Sequence, residues 1–405
     1  MAHVLSPGIF TRDWFGRAIA LANAATLYTY ARAAFFNVTG RLAFTAALKD
    51  QLGVDLQPNV WRSLAWDLLC VLPLSVVARR GRAVKHTKDI AYADWQRVDA
   101  DLLARWQRMP KGLKRINAMV GRGTASKWLS LDVLAMEGLA GRDVLMYVHG
   151  GGWGVGDKLF AAHALLDRLA SRGVVCVSIN YRLVPDAPFP AAIEDCKRAL
   201  HWVKQHATEF GGNPARVFVC GESAGGHLCA LLATCGRDYH PSEVDASADL
   251  SVAGAIPLYG VFDLADSKGL QKAVHPSLLE GVLDGGGGLR PFVERVVMQK
   301  RYVDNKEAFA LASPAHRVAT ATEQVCPFFV VHGTDDSLAA HGGSVEFFNL
   351  LKKHRGARMG CGDAFVSLPE AHHQFGYLPS PRAMALADAI ARWMECVPAV
   401  TATSI

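Results

Sequence analysis

The sequence predicts an α/β protein: a mostly parallel central sheet with helices on both faces. Two observations predict this. From about residue 126, short apolar runs bounded by turn signals alternate with longer helical stretches, the order that generates right-handed βαβ units. The turns between them are rich in glycine and proline, which stop one element and aim the next. Composition agrees, with 51% hydrophobic and 20% charged residues in 405. That balance excludes disordered, collagen-like and coiled-coil chains.

Residues 1 to about 85 read as helical and Ala-rich, and 92–118 as amphipathic and Trp-bearing. WLSLDVL (128–134) alternates like an edge strand, and VLMYV (144–148) reads as a buried one. A Gly-rich loop (150–156) leads to a helix over 158–171 and a strand at 174–179. A Pro-rich loop (185–190), a helix over 191–208 and strand RVFVC (216–220) follow. A sharp Gly turn then opens a helix over 224–235, and strand 252–258 precedes an irregular insertion at about 261–318. Strand PFFVV (327–331), helix 342–355, strand DAFVSL (363–368) and helix 381–396 close the chain. Residues 1–120 are therefore expected to form a helical N-terminal region and 121–405 the α/β domain.

The net charge is +6, without a run of like charges of the kind a nucleic-acid arm carries. Nine cysteines in 405 residues, with no C-x-x-C pair, argue for a reducing compartment and against a disulfide scaffold or structural zinc. No secretory signal stands out, so a cytoplasmic or membrane-associated location is expected. Residues 14–36 and 64–78 are the two segments able to touch a membrane. The second is only 15 residues long and is broken by Asp67 and Pro73, short of the roughly 20 apolar residues a spanning helix needs. The Arg79, Arg80 and Arg82 cluster beside it keeps peripheral contact in view.

Chemistry concentrates at the ends of the strands. Gly221-Glu222-Ser223-Ala224-Gly225 follows a strand and opens a helix, the setting of a nucleophile elbow. Upstream, His149-Gly150-Gly151-Gly152-Trp153 follows strand 144–148. Glycines there let main-chain N–H groups approach a developing oxyanion. The donors expected are Gly151, Gly152 and Ala224, with Gly150 as a further candidate and His149 as a hydrogen-bonded scaffold residue. A triad then needs an acid and a base, in that chain order. His332-Gly333-Thr334-Asp335-Asp336 offers two adjacent acids, of which Asp336 is preferred by its four-residue offset from the histidine. Pro369-Glu370-Ala371-His372-His373-Gln374-Phe375 offers two bases, of which His373 fits an H-x-F pattern. Ser223, Asp336 and His373 thus stand at the ends of three predicted strands. No metal or organic cofactor is required, and the expected partner is a small ester or lipid substrate.

HGGGW, YRLVPDAPFPAAIEDCKRAL (181–200), FGGNPARVFVCGESAGGHL (210–228), HGTDDSL and HHQF together resemble the hormone-sensitive-lipase-like branch of the α/β-hydrolase carboxylesterases. With AIPLYGVFDL (255–264), the look is of mycobacterial-type esterases. The resemblance covers roughly 140–396. It implies the α/β-hydrolase fold, an N-terminal cap that sets acyl-chain preference, a structural role for Asp195, and hydrolysis of short to medium acyl esters. Glu222 stands where the family commonly has Asp, and the first 120 residues carry no matching motif. A prenylcysteine methylesterase, an arylformamidase and a non-catalytic receptor on the same fold are the alternatives.

Overall fold

The computed structural model describes residues 46, 49–51, 84–109, 128–158, 163–270, 289–356, 362–376 and 381–398. Segments 14–36 and 64–78, the Arg79–Arg82 cluster and the Gly285–Gly288 run lie outside the described residues. The strands are β1 (Val84–Ala91), β2 (Ser130–Met136), β3 (Arg142–Val148), β4 (Val175–Ile179), β5 (Gly212–Glu222), β6 (Gly254–Leu258), β7 (Phe329–Gly333) and β8 (Ala364–Leu368). They form one sheet in the order β1-β2-β4-β3-β5-β6-β7-β8. The β1/β2 and β2/β4 pairs are antiparallel, and every later pair is parallel.

The helices among the described residues include α1 (Trp95–Val98), α2 (Ala100–Arg108), α3 (His163–Ala170), α4 (Ala191–His206), α5 (Ala224–Thr234), α6 (Leu289–Phe292), α7 (Lys306–Leu311), α8 (Pro314–Thr320), α9 (His341–Arg355) and α10 (Pro381–Cys396). The two-residue period of a strand sends alternate side chains to opposite faces. Val144, Met146, Val148, Val217 and Val219 pack on the face covered by α4, α5 and α9. Leu145, Tyr147, Phe218 and Cys220 pack on the other face, against α3 and α10. Both faces are thereby buried, as a parallel sheet requires.

Three expectations need correction. The stretch expected to be wholly helical contains a strand, β1, paired with β2. A register shift between Thr87 and Ile90, with Asp89 at φ 56°, breaks the alternation that would have marked it. WLSLDVL is consequently an interior strand: β1 covers its outer edge, and Ser130–Ala135 are buried. Finally, β7 runs two residues further than PFFVV, because pairing with β8 continues through His332↔Ser367 and Gly333↔Leu368. His332 therefore lies in the sheet and not in the loop after it.

Candidate active site

The site lies at the C-terminal ends of the parallel strands. Ser223 sits between β5 and α5 at φ 54° and ψ −117°, a backbone conformation rare for a residue with a side chain. Its neighbours allow the turn. A Cβ on Gly225 would fall 2.1 Å from the Val148 carbonyl oxygen, and one on Gly221 would fall 2.2 Å from that of Gly225. Only glycine lets β3, β5 and α5 approach this closely. The Ser223 N–H donates to the Leu258 carbonyl at 2.9 Å, which ties the turn to β6.

The three predicted side chains converge on this point. His373 Nε2 lies 2.9 Å from Ser223 Oγ, and His373 Nδ1 lies 2.7 Å from Asp336 Oδ2. Asp336 Oδ1 accepts the N–H groups of Leu338 and Ala339, each at 2.9 Å. Burial alone would raise the Asp336 carboxyl, but hydrogen bonds from His332 and His373 hold it well below the ordinary carboxylate range. The neighbouring alternatives point elsewhere. Asp335 is exposed and accepts from Thr334 Oγ1 at 2.9 Å, and exposed His372 donates to the Asp335 carbonyl at 3.0 Å.

The glycine loop packs directly on the elbow: a Cβ at Gly150 would stand 3.2 Å from Ser223 Cβ. Gly151 and Gly152 both have positive φ, 107° and 57°. His149 is buried, stacks on Tyr181 with ring centroids 4.4 Å apart, and bonds through Nδ1 to the Gly150 carbonyl at 2.8 Å. Burial pushes this imidazole down. Trp153 is buried, with its indole N–H donating to His227 Nδ1 at 3.2 Å; His227 Nε2 in turn donates to the Ala312 carbonyl at 2.8 Å. Burial lowers His227 to about 4, which keeps it neutral in this relay between loop, α5 and insertion. Asp195 accepts from the Arg182 backbone at 2.8 Å and from Arg198 Nη1 at 2.7 Å, fixing the 181–190 loop from inside the protein.

Around the site stand neighbours that the sequence either named without a role, Glu222 and His332, or did not point to, Tyr259 and Phe292. The buried Glu222 carboxyl accepts from Tyr259 Oη at 2.6 Å, and burial raises it although that bond opposes the shift. The Tyr259 ring meets His373 edge-on at 4.8 Å. His332 bonds to Asp336. Phe292 of α6 lies over the glycine loop, 3.9 Å from where a Gly152 Cβ would be. A one-turn π segment (Val293–Val297) follows it, and the Val297 carbonyl accepts the Phe189 N–H at 2.8 Å. The only sequence signal for His332 was its offset from Asp336. Nothing in the sequence places Phe292 near residue 152. Among the described residues, no group of His, Cys, Asp and Glu is arranged to hold a metal ion.

The BD-FAE family model matches residues 131–351, more than half of the chain. Esterase LipQ of Mycobacterium tuberculosis is 34% identical over 254 residues, 63% of this chain and 55% of its own length. The probable carboxylic ester hydrolase LipM of the same organism is 32% identical over 354 residues, 86% of this chain and 71% of its own. The chain thus spans little more than half the length of LipQ. A truncated carbohydrate esterase from gut microbiota shares the fold, with a TM-score of 0.51 and 20% identity over 66% of this chain and 92% of that one. With its parallel sheet, glycine loop and strand–helix turn at Ser223 in this arrangement, the chain belongs to the BD-FAE family, in the hormone-sensitive-lipase-like branch of the α/β-hydrolase carboxylesterases.

Proposed function

We propose that the protein is a serine carboxylesterase that cleaves small esters with short to medium acyl chains through an acyl-enzyme. The observation that carries this reading is the unbroken hydrogen-bonded path from Ser223 Oγ through His373 to Asp336, at 2.9 and 2.7 Å. In this mechanism Ser223 attacks the ester carbonyl while His373 Nε2 accepts its proton. Asp336 holds the Nδ1–H tautomer and stabilises the imidazolium. The N–H groups of Gly151, Gly152 and Ala224 receive the oxyanion. His373 protonates the departing alkoxide. Water, activated by the same imidazole, then cleaves the acyl-enzyme.

Phe292 supports the substrate range. Its ring stands over the loop that would hold the carbonyl, so it bounds the space for one substituent of the ester. In this reading the cap comes from the N-terminal region, apart from β1 (Val84–Ala91), which belongs to the sheet of the hydrolase domain. Any contact with a lipid surface would run through the N-terminal region.

The test is a p-nitrophenyl ester series from acetate to laurate, alongside labelling by a fluorophosphonate. Hydrolysis should peak at the shorter chains, and the label should map to Ser223. Ser223→Ala should abolish both, with kcat falling about 10⁶-fold and the melting curve unchanged. Wild-type turnover in that variant would refute the assignment.

A further inference from the structure

We propose that His332 is a positioning residue for the acid: its imidazole N–H fixes the Asp336 oxygen that faces His373. The inference rests on the triad reading above and goes beyond it. Asp336 Oδ2 is shared by two imidazoles, with His373 Nδ1 at 2.7 Å and His332 Nε2 at 3.0 Å. His332 Nε2 also faces the Ala339 carbonyl at 3.0 Å. A nitrogen aimed at two acceptors must carry hydrogen, which makes His332 a donor to the carboxylate. Its other nitrogen lies 2.6 Å from Ser344 Oγ, whose hydroxyl donates to it in the neutral ring. Both His332 and Ser344 are fully buried.

The ring is thus pinned at both ends, and through it three elements are locked together: β7, the turn carrying Asp336, and α9. With Leu338 and Ala339 on Oδ1, the carboxylate is held by four N–H groups. It can neither rotate nor follow His373 as that ring takes and gives its proton. A carboxylate held by His373 alone on this oxygen would move with it, and misplacement of about 1 Å is enough to cost about 10²-fold in rate. Four donors also temper its basicity. Losing one leaves a more basic carboxylate, which stabilises the His373 imidazolium more strongly.

Other ionisable groups face this cluster. His341 of α9 meets His332 edge-on at 5.6 Å, and Glu222 lies behind Tyr259 on the far side of His373. Asp335 and His372 lie on the exposed side of the turn and bond away from it. All of them stay in place when only residue 332 is changed, so a shift in the pH profile reports on the donor itself.

The experiment compares His332→Leu, His332→Gln and Ser344→Ala in the full chain, measuring kcat and KM for p-nitrophenyl butyrate against pH. His332→Leu should lose about 10- to 100-fold in kcat with KM nearly unchanged. The acid limb of its kcat/KM profile should move to higher pH. His332→Gln, whose side-chain N–H₂ can reach the same oxygen, should recover most of the loss and return the limb. Ser344→Ala should move both readouts the same way, by less. Equal kcat for the Leu and Gln variants with an unmoved limb would overturn the proposal, as would a loss carried wholly by KM. Should the Leu variant fail to fold, the serine variant decides: wild-type kcat and profile there would also overturn it. Turnover surviving in Ser223→Ala would instead strike the triad reading itself. Loss of turnover in Ser223→Ala with a wild-type His332→Leu would strike only the positioning role.

Discussion

Near one edge of the sheet Asp132 lies between His86 Nε2, at 3.1 Å, and Lys158 Nζ, at 2.6 Å. Toward the other edge Asp336 lies between two imidazoles at 2.7 and 3.0 Å. Both carboxylates are almost wholly buried, and both are bonded to histidine. Their remaining partners separate them. The first meets a permanent cation, shared with Asp89 Oδ1 at 2.6 Å, so a fixed positive charge faces it and its bonds close within β1, β2 and the loop before α3. The second has no lysine or arginine bonded to it among the described residues, and its path ends on a hydroxyl. A buried carboxylate held against a fixed cation ties a fold together, whereas one whose charge is balanced only when an imidazole is protonated can drive proton transfer.

The sharpest way to break this comparison is to neutralise each acid. Asp336→Asn should lower kcat by about 10⁴-fold while the protein stays folded, since the amide favours the wrong histidine tautomer. Asp335→Asn, one residue away, should stay near the wild-type rate; the opposite result would move the acid by one position. At the other cluster, Lys158→Met leaves two carboxylates without their cation. It should destabilise the fold by about 3–5 kcal/mol in urea titration, with kcat of the folded fraction near wild type. The same lysine gives a pH signature. Burial would lower it, but its bonds to Asp132 and Asp89 win and raise it above its ordinary value. Its contribution is therefore complete below about pH 10.4 and is lost as pH rises through the raised value. Lys158→Met should accordingly show a flatter alkaline loss of stability than the wild type. The smallest effect expected is at the insertion. Phe292→Ala should shift preference toward longer acyl chains by about 10-fold in relative kcat/KM, and an unaltered chain-length profile would remove Phe292 from the substrate wall.

The two clusters were unequally legible in the sequence. Ser223 could be read because its requirements are local: a strand, two flanking glycines and a helix within a dozen residues. Asp336 and His373 could be read because each ends a strand, where a parallel sheet gathers its loops. The Lys158 cluster could not be read. It joins Asp89, Asp132 and Lys158 across three elements, and the first of these sits on a bulged strand whose periodicity is broken. His332 was visible only as part of a motif. Its inward aim depends on β7 running on through Gly333, which pairing with β8 decides and local composition does not. Phe292 belongs to an insertion without periodicity, so only the tertiary structure brings it to Gly152.

The bare backbone contacts beneath the elbow have a practical consequence for anyone altering this protein. With the Val148 carbonyl 2.1 Å from where a Gly225 methyl would go, and that of Gly225 2.2 Å from one on Gly221, random libraries spend those codons on non-folding clones. Diversity is better invested at Phe292, whose half-buried ring stands beside the glycine loop without bearing the weight of the turn.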